Sequence, residues 1–166
     1  FARDHIDGGA AALIRAMHLP SGCAVLDMGC GTGLVALAAA RRGADVVATD
    51  VSYRAVASAR RTLSANGYES VVVNHTNGAR TVSDGTMDVV VTNPPFHQGH
   101  DISFEVSQFF VREAARVLRP GGHLYLVANQ FLDYRPWIAR DFTIYSPALV
   151  DRRYRVWHAV KENSNG

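Results

Sequence analysis

A rigid, polar corner closes an apolar run near the middle of the chain. Residues 87–92 read MDVVVT, and the next four are Asn93, Pro94, Pro95 and Phe96. The prolines fix φ near about −65° and have no N–H to donate. The Asn93 side chain and the backbone carbonyls can accept hydrogen bonds. The stretch therefore predicts a stiff set of acceptors beside an aromatic ring, placed where a strand ends.

A glycine-rich turn follows an earlier apolar run. The sequence DMGCGTG places Gly29, Gly31 and Gly33 between the run at 24–28 and a helical stretch. In open α/β sheets such a turn lets a cofactor approach the backbone, and the helix N-terminus offers free N–H groups. Because position 34 is Leu, the spacing is G-x-G-x-G rather than the dinucleotide pattern G-x-G-x-x-G. This spacing suits a cofactor without a pyrophosphate group.

Two polar residues follow the next apolar runs. Asp50 comes directly after the run at 45–49, where a carboxylate can accept both hydroxyls of a ribose. It could also be the N-cap or turn residue before a helix. Asn77 follows the third run and could bind the edge of an adenine, although Asn-Gly is also an ordinary turn dipeptide. Each residue keeps both interpretations at this point.

Short valine-rich runs alternate with helical stretches. The runs typical of strands buried on both faces are 24–28, 45–49, 70–74, 87–92 and 123–128. The predicted helices are 8–18, 32–42, 52–66, 103–118 and 131–140. This alternation predicts an α/β sandwich around a mainly parallel sheet. The last two runs, 142–146 and 154–161, have no helix between them and predict an antiparallel hairpin at one edge.

Several residues mark the predicted ends of these elements. Ser52 and Ser103 are predicted N-caps, and Gly67 is placed to end the third helix. The segment 118–122, LRPGG, predicts a turn before the fifth strand, with Pro120 stopping the preceding helix. The apolar face of that helix is predicted to consist of Val106, Phe110, Ala114 and Val117.

Length and composition favour one domain with a proper core. The 166 residues are 48% hydrophobic, and 17 Lys and Arg against 15 Asp and Glu leave a formal charge of +2, a weak indication of nucleic-acid binding. No membrane span or signal pattern is visible, and the two cysteines fit no zinc or redox motif, so we expect a cytoplasmic protein with buried thiols. The chain opens at Phe1, and we expect residues 1–166 to be one domain of a longer chain whose N-terminal domain is missing.

Taken together, the motif DMGCGTG after the first predicted strand and the motif TNPPF after the fourth resemble those of class I S-adenosylmethionine-dependent methyltransferases. The resemblance implies a Rossmann-like, seven-stranded sandwich with S-adenosylmethionine as cofactor and S-adenosylhomocysteine as product. The cofactor-binding residues that it implies are Asp27, Gly29, Cys30, Gly31, Gly33, Asp50, Val51, Asn77 and Asn93. The implied catalytic residues are Asn93, Pro94, Pro95 and Phe96, with no metal.

In methyltransferases with Asn-Pro-Pro-aromatic, the target is a nitrogen whose lone pair is conjugated into a ring or an amide. The Asn93 carbonyl and the Pro94 backbone carbonyl can each accept one N–H of that amine, which favours a more tetrahedral nitrogen. Phe96 would stack on the flat face of the substrate. No metal or strongly shifted base is required, because the nitrogen becomes acidic once it is methylated.

Within that superfamily, nearly the whole chain resembles the "methyltransferase small" domain of ribosomal RNA guanine-N2 methyltransferases. The stretches that carry this resemblance are FARDHIDGGAAAL, NPPFHQGH and LRPGGHLYLVANQFLDY. It implies methyl transfer to guanine N2, with ribosomal RNA or a ribosomal subunit as partner. In that family an inactive N-terminal copy of the fold helps to grip RNA. Asp7 matches the family's opening Asp, and a cofactor-side role for it is a further hypothesis.

Other interpretations remain open from the sequence. A glutamine-N5 protein methyltransferase or an adenine-N6 enzyme would use the same acceptors, and a degenerate domain could bind RNA without catalysis. His97 and His100 form H-x-x-H, which we interpret as loop polarity or substrate contact because no third metal ligand is nearby. The basic residues Arg152, Arg153 and Arg155 could contact phosphate or lie in a solvated turn.

Overall fold

The computed structural model describes residues 7–95 and 102–163, and the side chains of all of these except 102 and 103. The helices in this part of the chain are α1 (Gly8–Ala16), α2 (Leu34–Arg41), α3 (Tyr53–Ala65), α4 (Ile102–Val117) and α5 (Arg135–Asp141). The strands are β1 (Ala24–Met28), β2 (Asp45–Asp50), β3 (Val72–His75), β4 (Met87–Thr92), β5 (Leu118–Asn129), β6 (Ile144–Val150) and β7 (Tyr154–Val160). None of these helices is long and apolar enough to cross a bilayer.

All seven strands form one sheet in the order β3-β2-β1-β4-β5-β7-β6. The first five are parallel, and β7 is antiparallel to both β5 and β6. The predicted α/β architecture and the antiparallel edge hairpin are therefore confirmed. The order reverses between β1 and β4, so a crevice opens there at the carboxyl ends of the strands, where open α/β sheets bind ligands.

The central strands β1 and β4 are mostly buried on both faces, as their pattern predicts. The same prediction is wrong for the edge strand β3, where Val72 is 52% exposed. In β4, Val89 and Val91 pack into the core beneath α1, α2 and α3, whereas Val90 packs into the core beneath α4 and α5. Strand side chains alternate between the two faces of a sheet. A sheet covered by helices on both sides therefore favours apolar residues at most central positions, and this explains the valine-rich runs.

Two of the three predicted helix caps are correct. The Ser52 hydroxyl accepts a hydrogen bond from the N–H of Ala55 at 3.3 Å, which makes it the N-cap of α3. Gly67 follows the C-cap of that helix with φ +81°, a conformation that favours glycine. Ser103 is not an N-cap, because α4 already begins at Ile102. The predicted apolar face of α4 is confirmed, with Val106 partly buried and its other members buried.

The largest difference from the sequence prediction is in β5. Residues 118–122 were expected to form a turn, but Leu118 pairs with Met87 and the next pair is Val89 with His123. Four residues of β5 thus lie opposite one residue of β4, which is a wide bulge rather than a turn. The bulge keeps hydrogen bonds to the end of β7, because the Gly121 N–H donates to the Lys161 carbonyl at 2.7 Å. The helix before it ends at Val117, three residues ahead of the proline expected to stop it.

Several other predicted bounds shift by a few residues. The predicted helices 8–18, 32–42 and 131–140 are observed as Gly8–Ala16, Leu34–Arg41 and Arg135–Asp141. The predicted strands 70–74 and 142–146 are observed as Val72–His75 and Ile144–Val150. The shift of β6 has a packing reason, because its apolar residues are mostly exposed at the sheet edge and its position is set by pairing with β7.

Candidate active site

Two adjoining cavities occupy the crevice at the carboxyl ends of β1 and β4. The loop cavity, about 470 Å³, is lined by Asp7, Asp27, residues 29–32, Asn93, Pro94, Pro95, Asn129 and Tyr154, among others. The apolar cavity, about 350 Å³, is lined by Gly29, Asp50, Val51, Asn77, Gly78, Asn93, Pro95, Val106 and Phe110. Asn93 lines both cavities, so it lies where they meet.

The glycine turn is shaped by close packing at one end and open space in the middle. Gly33 is the N-cap of α2 with φ +86°, and a Cβ added there would lie 3.0 Å from the Cα of Ala59 in α3. Gly31 has φ +52°, and a Cβ there would meet nothing within 4 Å. A side chain at Gly33 would thus separate two helices, whereas one at Gly31 would enter unoccupied space beside the turn.

Asp27 is the buried acid of the site. Only 2% of the residue is exposed, and its Oδ2 atom is buried without a hydrogen-bond partner among the described residues. Burial raises the pKa of Asp27 to about 7; the backbone N–H of Ala36 partly offsets this, and the charge of Asp50 adds to it. Asp27 lines the loop cavity, and a carboxylate with an unpaired oxygen is a potential acceptor for a polar or cationic ligand group.

Asp50 connects the glycine turn to the end of β2. Its Oδ2 accepts a hydrogen bond from the Gly31 N–H at 3.0 Å, and its Oδ1 accepts one from the Ser52 N–H at 2.9 Å. An ionised carboxylate offers about four acceptor sites, so each oxygen keeps capacity for a hydroxyl. The predicted turn role of Asp50 is therefore confirmed. Asp50 also lines the apolar cavity, and its predicted binding of a ribose stays a prediction.

One wall of the apolar cavity is formed by Asn77 and Gly78, in the segment after β3. The Thr49 hydroxyl donates to the Gly78 carbonyl at 2.7 Å in the interior. Asn77 itself is exposed at the cavity rim. Val51, 64% exposed, presents an apolar surface beside Asp50. The cavity thus combines apolar walls with a carboxylate and an amide at its edge.

Glu113 and Arg116 on α4 form hydrogen bonds with residues 79–84, which follow Gly78. We call these two residues and the segment 79–84 the α4 clamp. Glu113 accepts from the Ala79 N–H at 3.2 Å and from the Arg116 Nε at 3.0 Å. Arg116 donates to the carbonyls of Ala79 and Val82 at 2.8 and 2.9 Å, and to Asp84 at 2.6 Å. Burial acts to raise the pKa of Glu113, but the Arg116 hydrogen bond and charge outweigh it, so the pKa lies below its usual range.

The Asn-Pro-Pro corner projects from the end of β4. The buried Thr92 hydroxyl donates to the Met28 carbonyl at 2.7 Å and fixes this strand end against β1. Pro94 is buried and Pro95 exposed. The Asn93 amide nitrogen donates to Asp7 Oδ2 at 3.1 Å. Phe96 lies outside the described residues, so its predicted stacking role stays a prediction.

The predictions for the cysteines fall within the described residues, whereas that for the histidine pair does not. Cys30 and Cys23 are buried free thiols, as expected. Burial, with the charges of Asp27 and Asp50, raises the pKa of Cys30 far above its usual range, so the thiol stays neutral. The predicted pair His97 and His100 falls outside the described residues.

No group of three or more His, Cys, Asp or Glu within residues 7–95 and 102–163 could hold a metal ion. Arg152 and Arg153 are exposed in the turn between β6 and β7. That turn lies beside the end of β5, because the Gln130 N–H donates to the Arg153 carbonyl at 2.9 Å.

The structure adds two residues that sequence reasoning missed. Asn129 ends β5 and Tyr154 begins β7, and both line the loop cavity. Asn129 carries a visible signal, since it is a polar residue directly after a buried parallel strand, like Asp50 and Asn93. No sequence signal marks Tyr154, because its position depends on the antiparallel pairing of β7 with β5. This pairing brings Tyr154 opposite Asn129.

Comparison with known proteins gives concordant matches. The model of the methyltransferase small domain family matches residues 1–158. A Hahella chejuensis protein named ribosomal RNA small subunit methyltransferase C is 39% identical over 163 residues, which cover 97% of this chain and 47% of that protein. The Escherichia coli protein of the same name is 35% identical over 162 residues, which cover 96% and 47%. The chain spans about half the length of the curated relatives it matches.

Among solved structures, a Thermus thermophilus 16S rRNA N2 G1207 methyltransferase in complex with AdoMet and guanosine superposes with a TM-score of 0.84. It is 33% identical, and the match covers 98% of this chain and 45% of that one. The strand order, the glycine turn and the Asn-Pro-Pro corner define a class I methyltransferase fold. Within this class, the chain belongs to the methyltransferase small domain family.

Proposed function

We propose that this domain transfers a methyl group from S-adenosylmethionine to the exocyclic N2 of a guanine in ribosomal RNA, in the cytoplasm. The observation that carries the proposal is the position of Asn93 at the junction of the two cavities. A cofactor extending through both would bring its central atoms to that junction. The names of the relatives support guanine and ribosomal RNA as the target.

The described residues fit S-adenosylmethionine in chemistry and placement. Asp50 would accept the ribose hydroxyls, while Val51, Phe110 and Asn77 would enclose the adenine in the apolar cavity. The unpaired oxygen of Asp27 would accept from the cationic amino-acid end of the cofactor in the loop cavity. Gly29, Cys30 and Gly31 would line the path between them.

The chain's own contribution to the reaction is to hold the acceptor amine. When bound, the cofactor supplies an electrophilic methyl group on a sulfonium. The Asn93 Oδ1 and the Pro94 carbonyl would each accept one N–H of the amine, so that its lone pair points toward the methyl group. Pro94 and Pro95 restrict the backbone at this corner, so little order is lost when the amine binds. Phe96 would stack on the guanine.

The direct test is methyl transfer with identification of the product. The full-length protein, tritiated S-adenosylmethionine and ribosomal RNA or small subunits from a strain that lacks the modification would be combined. We expect label in RNA and N2-methylguanosine by nucleoside mass spectrometry. N6-methyladenosine, or label only in protein, would contradict the guanine assignment. Cofactor binding without transfer to any of these substrates would favour a non-catalytic RNA-binding domain.

A further inference from the structure

Asp7 and Asn93 are 86 positions apart in sequence and in direct contact in the fold. Asp7 is the N-cap of α1, and its Oδ1 accepts from the Gly9 N–H at 2.9 Å. Its Oδ2 accepts from the Asn93 amide nitrogen at 3.1 Å. Each carboxylate oxygen thus has one partner, and the helix cap holds the second oxygen in place.

The chemistry of this contact fixes the orientation of the amide. A side-chain amide has a carbonyl at one end of its fork and an NH2 group at the other, and the two have nearly the same shape. An ionised carboxylate can only accept hydrogen bonds. The NH2 group of Asn93 must therefore face Asp7, and its carbonyl oxygen must face the other way. A flipped amide would place two acceptors against each other beside Asp7.

The local sequence leaves room for this contact and for nothing larger. Gly9 is buried in the first turn of α1, and a Cβ added there would lie 2.8 Å from the Asn93 amide nitrogen. The same Cβ would lie 3.2 Å from Asp7 Oδ1. A methyl group at position 9 would displace the Asn93 amide, because the end of a side chain yields more easily than a helix backbone.

We infer that Asp7 is a positioning residue for methyl transfer: it orients Asn93 so that the amide oxygen, and not the NH2 group, faces the amine. This inference rests on the proposed function. Asp7 also lines the loop cavity, but both of its oxygens are hydrogen-bonded within the chain. Its replacement by a residue that keeps the cap should therefore lower kcat and leave cofactor affinity nearly unchanged. A flipped amide would present a donor to an amine that itself needs acceptors.

The first test is Asp7→Asn, because Asn and Asp are similar as N-caps but Asn can present a donor as well as an acceptor. We expect roughly 10-fold or greater loss of kcat, with an unchanged melting temperature and an unchanged Kd for S-adenosylmethionine. Asp133→Asn is the matched control for lost charge, since Asp133 is bonded to Arg135. Wild-type kcat in Asp7→Asn would overturn the inference, and so would equal losses in stability and cofactor binding.

The second test is Gly9→Ala, which separates orientation from folding. Alanine is a better helix former than glycine, so the melting temperature should stay level or rise. The displaced amide should nevertheless lower kcat by roughly 10-fold. A variant that is as stable as the wild type and fully active would contradict the inference. A destabilised, inactive variant would also count against it, because a structural role would then suffice.

A third readout does not depend on activity. The Asn93 side-chain NH2 signals, assigned by their loss in Asn93→Ala, would be followed in a proton–nitrogen correlation spectrum. We expect slow hydrogen exchange and a distinct shift in the wild type, both lost in Asp7→Asn. Unchanged signals would overturn the inference even if the enzyme is active. Lack of methyl transfer by the wild type would instead count against the proposed function while leaving this contact measurable.

Discussion

The crevice and the α4 clamp each contain a buried carboxylate, but the pKa shifts of the two carboxylates are opposite in direction. Asp27, 2% exposed, has an oxygen with no hydrogen-bond partner in the described part of the chain, and burial raises its pKa to about 7. Glu113, 8% exposed, is surrounded by donors, and its pKa lies below the usual range despite burial. Removal of a partner from a satisfied buried charge destabilises the fold, whereas an unsatisfied buried acid carries a cost that a ligand can relieve.

The same contrast predicts how substitutions should act. Changes in the crevice should affect ligand binding or turnover with little loss of stability, and changes in the α4 clamp should destabilise the fold first. The four predictions that follow run from the largest expected effect to the smallest.

Asn93→Ala should reduce kcat by about two orders of magnitude or more, because the lost acceptor acts mainly in the transition state. The Kd for S-adenosylmethionine and the melting temperature should change little. Steady-state kinetics with unmodified RNA, calorimetry and thermal unfolding would measure the three quantities. Equal losses in turnover and cofactor affinity would show that Asn93 has a structural role.

Arg116→Ala should lower the free energy of unfolding by about 2 kcal/mol, since it leaves Glu113 and two carbonyls short of donors. Denaturant unfolding would measure this. Arg119→Ala is the matched control, because its ion pair with Asp88 is 48% and 41% exposed and should contribute less than about 1 kcal/mol. Equal effects of the two substitutions would remove the distinction between the clamp and an ordinary surface pair.

Asp50→Ala should weaken S-adenosylmethionine binding by roughly 1 to 3 kcal/mol, through lost charge-assisted hydrogen bonds. Part of the loss should come from the glycine turn, whose Gly31 N–H loses its acceptor. Calorimetry with S-adenosylmethionine and with free methionine separates the two contributions, because methionine has no ribose. An unchanged Kd for the full cofactor would refute the assignment of Asp50.

The contribution of Asp27 to the free energy of unfolding should fall as pH rises. Its pKa in the folded protein, about 7, lies above the ordinary value of 3.8, so the folded state binds more protons than the unfolded state between these values. The free energy of unfolding of the wild type relative to Asp27→Asn should therefore fall by about 1 kcal/mol between about pH 5 and 6. Urea unfolding across this range would measure it; a difference that is flat or rises with pH would contradict the burial of an unpaired acid.

Much of the fold could be predicted from the sequence, because each local signal agrees with the final arrangement. The runs at 24–28 and 87–92 became strands with those bounds, since strands covered on both faces need apolar side chains throughout. The bulge at 118–122 could not be predicted. Pro120 and Gly121 look like a turn locally, and only the neighbouring end of β7 supplies the hydrogen bonds that keep the segment in the sheet.

The candidate site was predictable to the same extent. Asp50, Asn77 and Asn93 could be found because each polar residue follows an apolar run and so lies at one edge of a parallel sheet. The contact of Asp7 with Asn93 and the α4 clamp could not be found in this way. Both join segments that are distant in sequence, and their geometry depends on how helices dock on the finished sheet.

The approach of Gly33 to Ala59 packs the first turn of α2 tightly against α3. With 3.0 Å between an added Cβ at position 33 and the Ala59 Cα, neither position can accept a bulkier residue alone. Random mutagenesis should recover few substitutions at position 33 or position 59. Replacing Ala59 by glycine should not make a larger residue at position 33 acceptable, because the nearest atom, the Ala59 Cα, belongs to the main chain. The end of the glycine turn at position 33 should therefore vary little in sequence.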